Sequence, residues 1–389
     1  MKGPIFFLAM LSVVGITLAL FIVTLGLAIP GLWKFGLVVA EMAIVSQVLI
    51  RYFGMSGEMG LILLRSRRGL DFIDGLSKNE GAWKFFSDMG ATMSYGLLSV
   101  PLMRGNTSLR SVCCGLVMLL AITFIVAPLV VPFLTEVLKI GMIEKAKTQV
   151  TAPSQAFFPV AVALIVGGGL FMLLLASLLL YGLVVLSAAM STLLAGTNAM
   201  AGTTPGATFL LPGVNLPLVE GVAALVIIMA VHEGAHAILG RIARIPLLSS
   251  GVVLFGIIPV GAFIEPDEGK LAKVERVAQT RVLVAGSTAN LTASFAFFVL
   301  FVLFALAMNA AGLQSIPYVG ALAHSLYLLL GMAFALNFVI GTVNLLPLPF
   351  FDGYRIIDVN MKNKYFVKGL MLLTLLAFLM NFLPWFFVK

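Results

Sequence analysis

The amino-acid sequence predicts an all-α polytopic membrane protein of about nine membrane-spanning segments, with a short re-entrant β element beside its active site. Three observations predict it. Of the 389 residues, 61% are hydrophobic and only 10% charged, where a soluble domain carries roughly a quarter charged residues. The apolar residues fall into runs of the roughly 20 residues that cross a bilayer's hydrocarbon. One further stretch, Ser249–Ile264, is apolar but too interrupted by Gly and Pro to be a helix.

Eight runs are long enough to span: Ile5–Ile29, Gly31–Ile50, Val112–Thr135, Ala156–Val185, Leu216–Leu239, Val282–Met308, Pro317–Ile340 and Phe366–Phe387. The first follows Met1-Lys2-Gly3 and is too long for the apolar core of a cleaved signal, so it reads as a retained membrane helix. A ninth, Met89–Met103, is short and holds Ser94, Ser99 and Pro101. Parity decides how it is read. The basic loop after Ile50 and the one carrying Arg241 and Arg244 both belong in the cytoplasm by the positive-inside rule. The segment carrying His232 must then start outside and end inside. That requires an odd number of crossings between residues 51 and 216, so Met89–Met103 is expected to cross, although Arg104 and Arg110 then fall outside.

The formal charge of +8 resides in short runs between apolar segments, such as Arg65-Ser66-Arg67-Arg68 and Lys362-Asn363-Lys364. That pattern marks membrane topology and excludes nucleic acid as a partner; the lipid bilayer is the partner it implies. Cys113 and Cys114 are adjacent within an apolar run, which excludes a disulfide framework. Two polar stretches, Leu64–Lys84 and Glu265–Arg281, read as cytoplasmic, the first as a loop or surface helix. Residues 1–210 thus form an N-terminal set of about five spans with a cytoplasmic loop at 51–87, and 211–389 form the catalytic membrane core. Ala195–Pro217, rich in Gly, Thr, Pro and Asn, is a polar external loop.

Ser249–Ile264 carries Gly251, Gly256, Pro259 and Gly261 among β-branched residues and predicts a pair of short strands. Non-helical backbone at membrane depth is tolerated only against protein or a water-filled cavity, so a cavity near the cytoplasmic face is expected.

The chemistry centres on His232-Glu233-Gly234-Ala235-His236. Residues four apart share one face of a helix, so both imidazoles reach one metal ion, and the Glu between them is placed to take a proton from water there. The chain has three histidines, and two stand here near the end of a lipid-spanning helix, where ionisable groups are costly and functional. A catalytic zinc takes three protein ligands and keeps one position open. His324 lies at the wrong depth for the third, and Glu41, Glu136 and Glu220 are isolated or distant. Asp352 remains. It follows Pro347 and Pro349, which break the preceding helix, and precedes Gly353, which favours a turn. The competing reading of Asp352 is a cap on the next helix.

With these residues in view, the sequence resembles the site-2 proteases, membrane-embedded metalloproteases that cleave transmembrane substrates. The resemblance rests on H-E-x-x-H, on Ala285-Gly286-Ser287-Thr288-Ala289-Asn290 as A-G-x-x-x-N, and on Asn344-Leu345-Leu346-Pro347 with Asp352-Gly353 as N-x-x-P…D-G. It covers about 150 residues, Leu211 to Asp352, in the order these motifs take. It is nearest to archaeal members without a PDZ domain. It implies one catalytic zinc on His232, His236 and Asp352, with Glu233 as general base and proton shuttle. It further implies that Asn344 holds the substrate backbone or the oxyanion, against the plainer reading of a helix cap or interhelical bond. For Asn290, packing or helix bonding is the expected role. The partners implied are single-span transmembrane proteins, cleaved in regulated intramembrane proteolysis at a multi-pass cell-membrane enzyme whose site lies toward the cytoplasm. Tyr354 stands where the family often has a second Gly after Asp-Gly, and Ala237 where Gly often follows the second His. Two other readings stay open: a different class of membrane zinc protease with Glu275 as third ligand, and a transporter or metal-dependent scaffold.

Overall fold

The computed structural model describes residues 4–387 apart from 30, 59, 67–69, 139–157, 209, 211 and 214. Met1, Lys2, Gly3, Arg67, Arg68, Ala156 and Leu211 therefore lie outside the described residues. Among those described, eight helices are long and apolar enough to cross a membrane: Phe6–Thr24, Trp33–Phe53, Leu109–Val137, Phe158–Ala195, Leu218–Ile242, Arg276–Ala310, Val319–Val343 and Lys364–Phe386. Each answers one of the eight long apolar runs, and the chain is a multi-pass membrane protein. Lipid leaves backbone N–H and C=O groups no outside partner, so these runs have no alternative to a helix.

In chain order, α1 (Pro4–Gly26) and α2 (Gly31–Phe53) are followed by β1 (Gly57–Glu58) and β2 (Leu61–Ser66). Next come α3 (Leu70–Leu76), α4 (Glu80–Tyr95) and the single turn α5 (Ser99–Leu102). Helix α6 (Leu109–Ala121) runs through a π turn at Ile122–Val126 into α7 (Ala127–Leu138). Helix α8 (Phe158–Ala195) is kinked at Gly169, and α9 is Leu218–Ile242. After them come β3 (Leu247–Phe255), β4 (Ile258–Pro266), α10 (Glu268–Leu271), α11 (Arg276–Ala310), α12 (Val319–Val343), α13 (Asp352–Asn360) and α14 (Lys364–Phe382).

The ninth expected span does not cross. Helix α4 ends at Tyr95, and the chain turns through a 3-10 segment at Gly96–Leu98 and then α5. Polar Ser99, whose hydroxyl meets Thr92 Oγ1 at 3.0 Å, and Pro101 prevent a continuous apolar helix here. Helix α6 then rises beside α4 in the same direction. The Arg110 guanidinium stands over the Phe85 ring at 5.5 Å, and a side chain on Gly115 would strike the Met89 carbonyl. Two helices side by side in the same direction require the chain to return between them, so Met89–Met103 is re-entrant. Arg104 and Arg110 consequently stay at the end of the bundle where α4 begins.

The β element is larger than a hairpin. β3 and β4 pair antiparallel, as expected for Ser249–Ile264. β2 adds to the other side of β3, Leu63 opposite Val253, in a four-stranded sheet ordered β1-β2-β3-β4. Leu64–Lys84 is thus not simply a loop or surface helix: it supplies the end of β2, then α3 and the start of α4. Pro259 and Pro266 both fall in β4, where an outer strand tolerates a missing N–H. The hairpin tip is anchored on α2: Gly256 N–H donates to Ser46 Oγ at 2.8 Å. Gly256 has φ of +62°, and any side chain there would collide with Met42.

Helix α11 occupies the centre, with α4, α9, α12 and α13 around it. At its contact with α4, Gly90 sits so close to Thr288 that no side chain fits between them.

β3 is paired on both sides, so replacing Val253 by Pro should lower stability by about 2 kcal/mol or more through a lost ladder bond and ring clash. Thermal unfolding in detergent measures this.

Candidate metal centre

Three side chains from two distant parts of the chain converge. His232 Nε2, His236 Nε2 and Asp352 Oδ2 form a near-equilateral triangle, with His236 Nε2 3.1 Å from each of the other two atoms and His232 Nε2 3.2 Å from Asp352 Oδ2. Their side chains are 8%, 16% and 14% exposed, so water does little to screen them. Among the described residues, this is the one group of three or more His, Cys, Asp or Glu side chains able to hold a metal ion.

The two histidines share a face of α9, as their spacing requires. Asp352 arrives by a turn that the prolines enforce. Pro347 has no N–H to give Val343, whose carbonyl instead accepts from Leu346 at 3.0 Å. The chain passes through Phe350 at φ +72°, and Gly353 N–H closes the turn on the Asn344 carbonyl at 2.8 Å. A side chain on Gly353 would overlap the Leu345 carbonyl, which explains the Gly after Asp352. Asp352 then opens α13.

Helix α11 holds the two rings from behind. His236 Nδ1 meets the Val282 carbonyl at 2.7 Å. A carbonyl only accepts, so Nδ1 carries the proton and Nε2 presents its lone pair to the triangle. His232 Nδ1 lies 3.1 Å from the Asn290 side-chain amide, whose Oδ1 is buried and otherwise without a partner. The two ends of an amide are assigned from their hydrogen bonds. A half-turn places Oδ1 on His232 Nδ1–H and satisfies both groups, leaving His232 Nε2 with its lone pair also. Between the two contacts stands Gly286, where a side chain would come within 2.5 Å of the two Nε2 atoms. Val282, Gly286 and Asn290 are four residues apart and form one stripe along α11.

Two imidazole lone pairs and a carboxylate oxygen facing one another at this range are three acceptors without a donor, an arrangement a cation relieves. Ligands at about 2.0–2.2 Å around a tetrahedral zinc lie about 3.3–3.6 Å apart. The observed triangle is within a few tenths of an ångström of that, and the residues present fit the ion.

Glu233 is not part of the triangle. Its Oε2 accepts from Ile264 N–H at 3.2 Å, which ties it to β4. In an antiparallel pair, N–H and C=O of one residue point to the same side. Ile264 and Ala262 therefore turn theirs away from β3, toward α9.

Residues 220–382 match the model of peptidase family M50. That is the site-2 protease family, so the resemblance is borne out over this stretch, and the match supports a membrane metallopeptidase in general. An uncharacterized protein of Methanocaldococcus jannaschii is 39% identical over 77 residues. The match spans 20% of each chain, so this sequence covers about a fifth of that relative's length. No solved structure matches the chain.

The remaining candidates sort by position. Asn344 ends α12, half-buried, with its carbonyl in the turn that carries Asp352. Glu275 is exposed ahead of α11 and outside the donor group. His324 is exposed and stacks on Tyr327, and Glu220 accepts from Ser325. Asn290, expected to pack or bond within its helix, is instead set against His232, and its four-residue spacing from Gly286 was the available signal. The Val282 carbonyl and Ile264 N–H are backbone groups, for which residue identity gives no signal.

Loss of an outer-shell partner typically weakens metal binding about 10–100-fold. Asn290→Ala is expected in that range, and Gly286→Ala, which pushes both donors aside, beyond it. Metal content after dialysis against a graded chelator measures both.

Proposed function

We propose that this chain is an intramembrane zinc metalloprotease. It hydrolyses peptide bonds within or near the membrane span of single-span proteins, in regulated intramembrane proteolysis, from a site toward the cytoplasmic face. The observation that carries this reading is the buried triangle of His232, His236 and Asp352 with Glu233 adjacent on the same helix. Two imidazoles, one carboxylate and an open position are the ligand set of a catalytic zinc, whereas structural sites are closed by four protein ligands. The match to peptidase family M50 supports the same chemistry.

His232, His236 and Asp352 hold the zinc. Zinc in that set supplies Lewis acidity toward the scissile carbonyl and brings the pKa of water to about 7. Glu233 takes the proton of the attacking water and passes it to the leaving amine nitrogen as the C–N bond breaks. Ile264 N–H steadies one carboxylate oxygen of Glu233, so the other accepts the proton from a constrained position. The Val282 carbonyl and the Asn290 side chain fix the two Nδ1 atoms as hydrogen-bond donors, so both Nε2 atoms face the metal position. Asn344, placed before the Pro turn, donates its carboxamide to the substrate backbone or to the developing oxyanion.

A helical substrate hides its carbonyls and must unwind before attack. The outer side of β4 offers N–H and C=O groups to an unwound segment by strand addition. β3, by contrast, has both sides occupied, so β4 is the receiving edge. The cytoplasmic placement is supported by Arg241 and Arg244, five and eight residues after the second ligand.

Purified protein incubated with single-span substrates tests the assignment. Glu233→Gln should keep zinc while cleavage falls about 100-fold or more, Asp352→Asn should lose zinc, and Glu275→Gln should change neither. Zinc lost from the Glu275 variant but kept in the Asp352 variant would move the third ligand and sink this reading.

Strand addition has its own test. Ala262→Pro removes one outward N–H without breaking the ladder to β3. It should leave zinc content and unfolding intact while slowing cleavage of helical spans about tenfold, roughly the worth of one lost hydrogen bond.

A further inference from the structure

Helix α11 carries a second functional stripe, offset from the one behind the histidines. Arg281 Nε and Nη2 grip the Asp88 carboxylate of α4 at 2.7 and 2.9 Å, a two-pronged fork. Arg281 Nη2 also donates to the Asn106 carbonyl at 3.3 Å, and Ser87 Oγ donates to the Arg281 carbonyl at 2.9 Å. Two turns along the same side, Thr288 closes on Gly90. Asp88 is 6% exposed and the Arg281 side chain 19%, so this pair is largely withdrawn from water and is not a surface bridge. The residue after Arg281 is Val282, whose carbonyl receives His236 Nδ1–H.

We propose that Asp88 is a positioning residue for the metal centre, acting through Arg281 on the Val282 carbonyl that orients His236. The inference rests on the metal reading above. A buried ion pair is weak evidence for stability, and its best-attested use is to set register. Here register matters in particular. The stripe of Val282, Gly286 and Asn290 faces the histidines only at one rotation of α11, and each residue of slip turns a helix by about 100° and advances it about 1.5 Å. A planar guanidinium held at two points resists both motions, where an apolar contact would allow sliding. Asp88 lies outside residues 220–382, so the centre of the peptidase-like unit is steadied from the preceding part of the chain.

The test is zinc affinity, read by chelator competition on the full chain in detergent, alongside thermal unfolding. Asp88→Asn removes the charge, and Arg281→Lys keeps the charge but loses the fork. The double variant Asp88→Leu/Arg281→Met replaces the pair by apolar packing, a change that folded proteins commonly tolerate. Lys84→Ala, which breaks the exposed bridge to Glu80 on the same helix, is the control. We expect zinc binding about tenfold weaker in all three, approaching the effect of an outer-shell loss, and unchanged in the control. Wild-type zinc affinity in any of the three that folds overturns the positioning role, as does equal weakening in Lys84→Ala. A wild-type protein that takes up no zinc overturns the metal reading and this inference with it, a result distinct from the first.

Discussion

Two imidazoles and a carboxylate must aim their lone pairs at one point inside an apolar bundle, and the rest of the structure is arranged around that demand. The decisive contacts lie behind the donors. The Val282 carbonyl and the Asn290 amide hold the two Nδ1 atoms, and Gly286 leaves the space the rings fill. Helix α11 is therefore less a span than a mould, with its stripe of three positions pressed against α9.

The mould is held in turn by the first half of the chain. Asp88 and Gly90 of α4 meet Arg281 and Thr288 of α11, while β2 pairs with β3 and α2 anchors the hairpin tip. Catalytic-type residues and their scaffold are thus far apart in sequence and interleaved in space. The re-entrant course of α4 makes this possible, because it brings a charged residue to the depth of Arg281 without spending a full crossing.

Much of this was legible from residue types. Eight apolar runs became eight helices, and Gly251, Gly256 and Gly261 marked the hairpin. The four-residue spacing of His232 and His236, with the Pro-Gly turn around Asp352, placed all three donors. What escaped did so for physical reasons. β2 pairs with β3 across more than 180 residues, and periodicity carries no record of a partner so remote. Met89–Met103 has the hydropathy of a poor span, and only its return beside α6 shows that it turns back. Asn290 read as packing because the atom it serves, His232 Nδ1, is defined by the metal side of the ring. Phe350 gave no sign of its left-handed backbone, a conformation that bulky residues rarely adopt.

The bond from Ile264 N–H to Glu233 occupies one rung of the outer ladder of β4. A segment that adds to this strand meets a rung already taken, so its pairing must stop short of Ile264 or displace the carboxylate. In the first case the rung works as an end-stop, and the distance from stop to metal acts as a ruler for where along the segment the bond is cut. In the second, arrival of the segment frees the base, and the site is armed only when loaded. In the proposed reaction, one main-chain hydrogen bond would couple where the substrate lies to when proton transfer can begin.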